Sequence, residues 1–472
     1  MKLLLLLLLP LQLLSQQQTI LFKNVNIIDV KKGRVIKNQN VLIEGNRIIN
    51  ISSKLISSKG ATIINATGKY LMPGLWDMHV HTLEEDWFKW QFPLFVLNGI
   101  TGFREMWGKG KLVDSIKSEM QNGSLPFFNF VASRHIIDGQ KAFWPGSLSI
   151  SNPASAANIV DSLIAAGSDF IKLYSFLDPE IFYAIAKRCR EKKFPFAGHV
   201  PHQVWLTDAS KSGMASMEHL YGFLTEACSF PDSAMKIRKK SAEDFEAGVP
   251  AITRQQNSRA GETYILNNFS EKRMRNIAKV LSKNKTYIVP TLVTLRGDYF
   301  ANDTSFTNDE RLIYMSKSTK DYWKEETEKD LKRNTEKDWQ NKRKRWQIEQ
   351  KIIKILSEEK VLILAGSDSD NPFAFPGFSL HDELALFVGF GMTPLNALRT
   401  ATINPAIFLN KQKDLGTVEK GKLADLVLLD TNPLQDINNT RKINAVVANG
   451  RLLQRKDLDK LLDEVKERVK LK

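Results

Sequence analysis

Between about Leu71 and about Asn410, short apolar runs alternate with helical patterns, and this alternation most constrains the fold. Such repeats are typical of βα units that build a parallel sheet, which predicts an α/β fold class. The number of runs predicts a closed (β/α)8 barrel, whose reactive side chains lie at the carboxyl ends of the strands. The eight candidate strands are "LWDMHVH", "GITGFREM", "FFNFVASRH", "DFIKLYS", "FPFAGHV", "ASMEHLYG", "TYIVPTLV" and "VLILAGSD".

The two ends of the chain share a different texture, in which β-branched runs alternate with Gly, Asn and Lys turns. We expect residues 19–70 and 411–472 to form the two parts of one small discontinuous β-sandwich, because chain ends commonly lie close together. A terminal helix completes the second part. The barrel is expected to occupy residues 71–410.

Residues from about 297 to about 355 separate the seventh and eighth candidate strands by more than an ordinary crossover requires. The stretch is highly charged and helical in pattern, and it contains Trp323, Trp339 and Trp346. We expect a helical insertion. A lid over the barrel mouth and a solvated excursion without a role in the site remain alternatives.

The first residues, "MKLLLLLLLPLQLLSQQQ", have the layout of a secretory signal peptide over residues 1–18. This predicts an exported protein, periplasmic or extracellular. The apolar run is too short to span a bilayer, so no stable membrane span is expected after signal removal. A buried first helix is the alternative. The two cysteines, Cys189 and Cys228, do not indicate a disulfide framework.

The formal net charge is +15, which raises the question of a nucleic-acid or membrane partner. Much of the Lys and Arg lies in a stretch where acidic and basic residues alternate, "YWKEETEKDLKRNTEKDWQNKRKRWQIEQKIIKIL". That alternation is typical of a solvated helix face. We therefore expect no nucleic acid partner, and leave a homo-oligomer open.

Metal-capable side chains fall at the ends of five different candidate strands. Residues two apart in a strand point to the same side, so an HxH pair can grip one ion. The pair alone does not distinguish a metal site from structural histidines, but imidazoles and a carboxylate converging on one face suit Zn and related divalent ions. The candidates are His79, His81, Lys172, His199, His219 and Asp368.

Lys172 is the unexpected member of this set, since Ile171 and Leu173 flank it in the fourth candidate strand. Burying its charge without a partner is costly. Reaction of the amine with CO2 would give an anionic carbamate able to bridge two metals, whereas an ion pair with a nearby Asp is the alternative. Asp368 could ligate metal and also carry a proton from water to the leaving group.

Eight motifs occur in an order that resembles the amidohydrolase superfamily, most closely its imidazolonepropionase-like and Xaa-Pro dipeptidase (prolidase) branch. The resemblance implies that His79 and His81 bind one metal, carboxylated Lys172 bridges, His199 and His219 bind a second metal, and Asp368 completes the first site and shuttles a proton. It implies a small-molecule or dipeptide substrate and one or two divalent metal ions, with Zn preferred and Mn, Fe or Co as alternatives. The motifs are "LMPGLWDMHVHT", "NGITGFREM", "DFIKLYS", "FAGHVP", "SMEHLYG", "LAGSDSD", "MTPLNALRTATINPA" and "LGTVEKGKLADLVLLD".

Two residues are candidate substrate contacts. Tyr174, two past Lys172, should face the same side and could hydrogen-bond a substrate carbonyl, or it could simply pack in the barrel. His135 ends the third strand, where similar peptidases bind the substrate carboxylate, but its loop, "SRHIIDGQKAFWPG", lacks their glycine-rich form.

Two neighbouring residues are expected to support the site. Asp77 shares a strand face with His79 and is expected deeper in the barrel, as a supporting residue. Arg104 could pair with the Lys172 region, with an acidic substrate, or with Glu105 or another carboxylate.

The sequence therefore predicts a metal-dependent amidohydrolase that cleaves the C–N bond of a cyclic amide or small peptide with metal-activated water. Hydrolysis of a lactone or an organophosphate ester on the same metal site is one alternative. The other is a non-catalytic basic binding protein built on a hydrolase barrel that has lost its activity.

Overall fold

The computed structural model describes residues 18–57, 59–82, 88–121 and 129–470, without the side chains of residues 88, 89, 121, 306 and 307. The predicted signal peptide lies outside this range except for its last residue. The described strands are β1 (Thr19–Asp29), β2 (Arg34–Glu44), β3 (Arg47–Ser52), β4 (Thr62–Asn65), β5 (Tyr70–Pro73), β6 (Leu75–Val80), β7 (Ile100–Glu105), β8 (Asn129–Ala132), β9 (Ile136–Asp138), β10 (Leu148–Ser149), β11 (Ile171–Leu173), β12 (Phe196–Gly198), β13 (Ser216–Glu218), β14 (Tyr287–Val289), β15 (Leu426–Leu429), β16 (Ile443–Ala448) and β17 (Arg451–Gln454).

Helices connect most of the central strands and form a large layer before the end of the barrel region. None of the described helices combines the length and the apolar character that crossing a membrane requires. The α-helices are α1 (Phe88–Leu97), α2 (Gly110–Gln121), α3 (Ala156–Ala165), α4 (Pro179–Lys192), α5 (Leu206–Lys211), α6 (Phe223–Glu226), α7 (Pro231–Glu246), α8 (Ala251–Asn267), α9 (Glu271–Asn284), α10 (Leu292–Tyr299), α11 (Thr304–Thr307), α12 (Lys317–Arg333), α13 (Glu336–Glu358), α14 (Phe378–Gly389), α15 (Pro394–Thr400), α16 (Ile403–Phe408) and α17 (Arg455–Lys470).

Strands from both ends of the chain join one eight-stranded sheet. Its order is β17-β16-β15-β5-β1-β2-β3, and β4 pairs with β1 outside this path. The two ends meet where β5 runs antiparallel to β15, with Pro73 opposite Leu426. Ile20, Phe22 and Val447 belong to the apolar core of this sheet. The domain boundaries and the two-layered form of this region stay predictions.

The central strands pair in parallel, as the βα alternation predicts. One sheet has the order β6-β7-β8 and the other the order β10-β9-β11-β12-β13-β14. Of the third candidate strand, "FFNFVASRH", residues 129–132 form β8, and a separate short strand, β9, follows it; β8 pairs with β7, whereas β9 pairs with β11. Residues 133–135 lie between β8 and β9 and belong to neither strand, so the expectation that His135 ends a strand was wrong.

The eighth candidate strand, "VLILAGSD", does not form a regular strand, and that expectation was wrong in detail. Its residues still lie between β14 and β6, since Leu364 N donates to Ile288 O at 2.9 Å and Met78 N to Ala365 O at 2.9 Å. Gly366 allows a close approach, because a Cβ there would lie 2.7 Å from His79 Cβ. Asp368 then takes a left-handed conformation with φ 55°, so the backbone departs from extended strand geometry at this residue.

Helices α10 to α13 overlap the predicted insertion, and side chains of α12 and α13 pack against the residues that follow Asp368. The indole of Trp323 is buried, and its Nε1 donates to the backbone oxygen of Asp370 at 3.0 Å. The same ring lies 5.1 Å from the ring of Phe375. Trp346 of α13 packs 5.0 Å from Phe390. The helical layer is therefore attached to the loop that follows Asp368.

Candidate metal centre

Three of the predicted ligands meet around one carboxylate. His79 Nε2 lies 3.3 Å from Asp368 Oδ1, and His81 Nε2 lies 3.1 Å from the same oxygen. The two histidines are two apart in chain order, so the alternation of β6 carries both to one side. The left-handed turn at Asp368 brings its carboxylate to them from the neighbouring segment.

Two more imidazoles extend this cluster. The His219 ring centroid lies 4.9 Å from that of His79 and 4.8 Å from that of His199. His219 Nδ1 lies 3.8 Å from Asp368 Oδ2. One ligand atom each from His79, His219 and Asp368 lies within 4.8 Å of the others. His199 and His219 come directly after β12 and β13, so the parallel strands deliver them to the same edge.

Several buried polar atoms in this cluster have no hydrogen-bond partner among the described residues. They are His79 Nε2, Lys172 Nζ and Asp368 Oδ1. Buried polar groups are normally satisfied, so atoms of this kind gathered at one point call for a ligand. Imidazole nitrogens and a carboxylate oxygen are the donor set of Zn and related divalent ions. The residues therefore fit one or more divalent metals.

Burial favours the uncharged forms of four of the predicted ligands. It lowers the pKa of His79 and His199 well below the usual value for histidine, and the pKa of His219 to about 4. Burial likewise lowers the pKa of Lys172 to about 8. Neutral imidazoles are the form that binds a metal, and a neutral amine is the form that reacts with CO2.

One ring nitrogen of each of three histidines contacts a side chain that is not a predicted ligand. Such contacts fix the tautomer and the orientation of a metal-binding histidine. The pairs are His79 Nδ1 with Glu218 Oε2 at 2.7 Å, His199 Nδ1 with Ser175 Oγ at 2.8 Å, and His219 Nδ1 with Thr291 Oγ1 at 2.7 Å.

Glu218 is the supporting residue that the sequence reasoning missed. Arg104 Nη2 donates to both of its carboxylate oxygens, at 2.9 and 3.0 Å, and Arg104 Nε donates to Met78 O at 2.6 Å. Arg104 and Glu218 are both buried. Arg104 thus pairs with Glu218 rather than with Glu105. The available signal was an acidic residue immediately before His219.

Asp77 occupies the supporting position expected of it. Its carboxylate accepts hydrogen bonds from Ser367 N at 2.9 Å and Ser367 Oγ at 2.6 Å. Burial raises the pKa of Asp77 to about 7. The residue therefore ties β6 to the segment that carries Asp368.

A cavity of about 610 Å³ opens onto the cluster of predicted metal ligands, the ligand cluster. Its wall includes His81, His199, His219 and Asp368, together with Tyr174. Tyr174 therefore faces the site side of its strand, and its ring stacks on that of His199 with centroids 4.0 Å apart. Its role toward substrate stays a prediction.

The position of His135 supports its expected role in substrate binding less than the position of Tyr174 does. Among the described residues on the cavity wall, its neighbour Ile136 is present and His135 is not. A second cavity, of about 680 Å³, lies at the amino ends of the strands beside Phe170, Phe196 and Tyr287. None of the six predicted ligands is among its described wall residues.

Residues 267–453 match the model of the amidohydrolase family. An imidazolonepropionase from Geobacillus sp. (strain WCH70) is 40% identical over 96 residues, which are 19% of this chain and 22% of that relative. A dihydroorotase from Trichlorobacter lovleyi is 40% identical over 62 residues, covering 13% of this chain and 14% of the relative. The matched segments thus span about a fifth or less of these relatives.

Solved structures resemble this chain over nearly its whole length. A bottromycin amidohydrolase superposes with a TM-score of 0.74 at 22% identity, covering 96% of this chain and 90% of that one. A Xaa-Pro dipeptidase with bound methionine gives a TM-score of 0.64 at 19% identity, covering 93% and 100%. At these identities the likeness shows a shared fold. The individual roles of the six predicted ligands stay predictions.

Proposed function

We propose that the protein is a metal-dependent hydrolase that cleaves an amide-type C–N bond in a cyclic amide or a small peptide. The observation that carries the proposal is the convergence of buried, unpartnered His79 Nε2, Lys172 Nζ and Asp368 Oδ1 with three further imidazoles. The imidazolonepropionase and dihydroorotase relatives support C–N bond chemistry, and the likeness to a Xaa-Pro dipeptidase supports the peptide alternative.

We further propose that the parallel strands close into a (β/α)8 barrel through the irregular segment 362–369. Ile363 forms a parallel bridge with Ile288 of β14, and Ser369 forms one with Val80 of β6. Through these bridges the segment joins β14, an outer strand of one described sheet, to β6, an outer strand of the other, which supports closure on this side of the ring. Every predicted ligand then lies at or near the carboxyl edge of that ring, where such barrels carry their reactive groups.

The ligands divide into two groups under this proposal. His79, His81 and Asp368 would hold one divalent ion, and His199 and His219 a second, with carboxylated Lys172 between them. Zn suits this donor set, and Mn, Fe or Co are the alternatives. When bound, the metal supplies Lewis acidity and lowers the pKa of a water nucleophile toward neutrality.

The protein's own residues supply positioning and proton transfer. Asp368 Oδ1 makes no hydrogen bond with the described residues, so it can accept a proton from the attacking water and deliver it to the leaving nitrogen. The hydroxyl of Tyr174 accepts a hydrogen bond from Trp144 Nε1 at 2.7 Å. Its own proton is then available to donate to the substrate carbonyl oxygen as charge develops there.

Helix α12, part of the charged helical insertion, lies beside the cavity. Tyr322 of α12 lies on the cavity wall, and Trp323 anchors that helix to Asp370. These contacts support a role as a cover over the site, which would limit the access of bulk water to the reacting groups. The leader-like residues 1–18 support export of the protein.

A panel of substrates tests the proposed function. We expect purified, metal-loaded protein to hydrolyse members of a set of dipeptides or cyclic imides, measured by release of amine or ring-opened acid. The Asp368→Asn variant should lower kcat/KM by about 10²- to 10⁴-fold if the residue transfers the proton. If only lactones or organophosphate esters were hydrolysed, the proposal that the enzyme cleaves an amide-type bond would be wrong. If no substrate were hydrolysed, the proposal that the protein is a hydrolase would be contradicted.

Metal removal gives an independent measurement. We expect a chelator to abolish activity and lower the melting temperature, because a ligand that binds only the folded state stabilises it. At a free metal concentration one hundred times Kd, each site contributes about 2.7 kcal/mol. Adding Zn should restore both properties. An unchanged melting temperature in protein shown by elemental analysis to have lost its metal would contradict the site.

A further inference from the structure

Six aromatic side chains line the cavity beside the ligand cluster, and together they form what we call the aromatic wall. Each follows the carboxyl end of a central strand or belongs to the helical layer above it. The aromatic wall comprises Trp107, Phe143, Trp144, Tyr174, Tyr221 and Tyr322.

Ring contacts make the aromatic wall continuous with the ligands. Trp107 lies 6.4 Å from His81 and 5.7 Å from Trp144, measured between ring centroids. Tyr174 stacks on His199 at 4.0 Å, and Tyr221 lies 4.9 Å from His219. A substrate group that contacts the aromatic wall would therefore lie next to the bond that is hydrolysed at the predicted metal ligands.

Trp144 is fixed at the middle of the aromatic wall. Its Nε1 donates to Tyr174 Oη at 2.7 Å, and its ring lies 5.1 Å from that of Phe143 in an edge-to-face arrangement. A hydrogen bond on one edge and neighbouring rings on two sides leave its orientation defined. A rigid indole face gives a flat partner for offset stacking.

The charged residues of the cavity do not favour a charged ligand on this side. Beyond the predicted ligands, the ionic side chains among the described wall residues are Lys109 and Asp370, which have opposite signs. Asp370 also accepts a hydrogen bond from Gln91 Nε2 at 3.0 Å. The wall thus offers mainly flat apolar surface with little net charge.

From this geometry we propose that the substrate carries a flat, uncharged ring, such as a phenyl group, next to the scissile amide bond. The inference rests on the proposed hydrolytic function and specifies its substrate class. Aromatic rings gain from offset stacking beyond their burial, whereas a methyl group covers little of the wall.

Matched substrate pairs test the proposal. We expect phenylalanyl-proline over alanyl-proline, or 5-phenylhydantoin over 5-methylhydantoin, to show a kcat/KM at least about tenfold higher, the range that pocket contacts with apolar groups provide. The Trp144→Leu variant should bring this ratio close to one, and Trp144→Phe should retain most of it. Trp346→Phe, a change in a buried indole off the cavity wall, is the control and should keep the wild-type ratio.

Two outcomes would overturn the proposal: equal kcat/KM values within both pairs, or a ratio that Trp144→Leu leaves unchanged. If no substrate is hydrolysed, the proposed function fails and binding decides the inference separately. Titration of the metal-loaded protein with benzamide and acetamide, followed by tryptophan fluorescence, should give a Kd at least about tenfold lower for benzamide. Equal Kd values would then overturn it.

Discussion

Lys172→Ala should lower kcat/KM by more than about a hundredfold and reduce the metal content of the purified protein. Removing a residue that only supports a metal ligand already costs about 10- to 100-fold in affinity or activity, so losing a bridging ligand should cost more. The buried Nζ of Lys172 makes no hydrogen bond with the described residues. Its carbamate would instead be satisfied by the metal ions.

Chemical rescue separates the carbamate from a structural lysine. In Lys172→Ala, a short carboxylic acid such as propionic acid should enter the space left by the side chain and partly restore activity and metal content. Lys193→Ala, at an exposed position, is the control and should change neither property. Wild-type activity in Lys172→Ala would remove the lysine from the mechanism. A loss of activity with full metal content would remove its bridging role.

Arg104→Met should destabilise the fold by about 3–5 kcal/mol, because it leaves the carboxylate of Glu218 buried without its cation. Arg104 and Glu218 are both fully buried and joined by two hydrogen bonds. Glu218 also holds His79 at 2.7 Å, so we expect the metal Kd to rise about 10- to 100-fold as well. Chemical denaturation and metal titration measure the two effects.

Two comparisons sharpen this expectation. Arg47 pairs with Asp414 at 2.9 Å with both side chains about half exposed, so Arg47→Met should cost no more than about 1 kcal/mol. The double variant Arg104→Met/Glu218→Gln should be more stable than Arg104→Met alone, since it removes the unpaired charge. If Arg104→Met and Arg47→Met had the same free energy of unfolding, the buried ion pair would contribute no more to stability than the exposed one.

The sequence predicted the parts of the fold and site that depend on local pattern. Alternating apolar runs located the parallel strands, and the two-residue period of a strand placed His79 and His81 on one side. Tyr174, two residues past Lys172, reached the cavity for the same reason. Strand ends meet at one edge of a parallel sheet, so His219 could also be placed from its position in the chain.

Features that depend on tertiary contacts were not predictable in the same way. The Arg104–Glu218 pair joins β7 to the end of β13, and no local pattern connects these strands. The irregular path of residues 362–369 follows from the close approach of Gly366 to His79 and the left-handed backbone of Asp368. The division between β8 and β9 similarly depends on which neighbour each part pairs with.

The pairing of β5 with β15 sets a condition on the order in which the molecule can be completed. The ribosome synthesises β5 long before β15, yet Met72 of β5 and Val427 of β15 lie directly opposite each other in the sheet. Only Gly74 separates β5 from β6, which carries His79. Contacts between such distant parts of a chain form slowly because a long loop must close first. The strand that carries His79 therefore adjoins a strand whose position in the sheet depends on residues that are synthesised long after it.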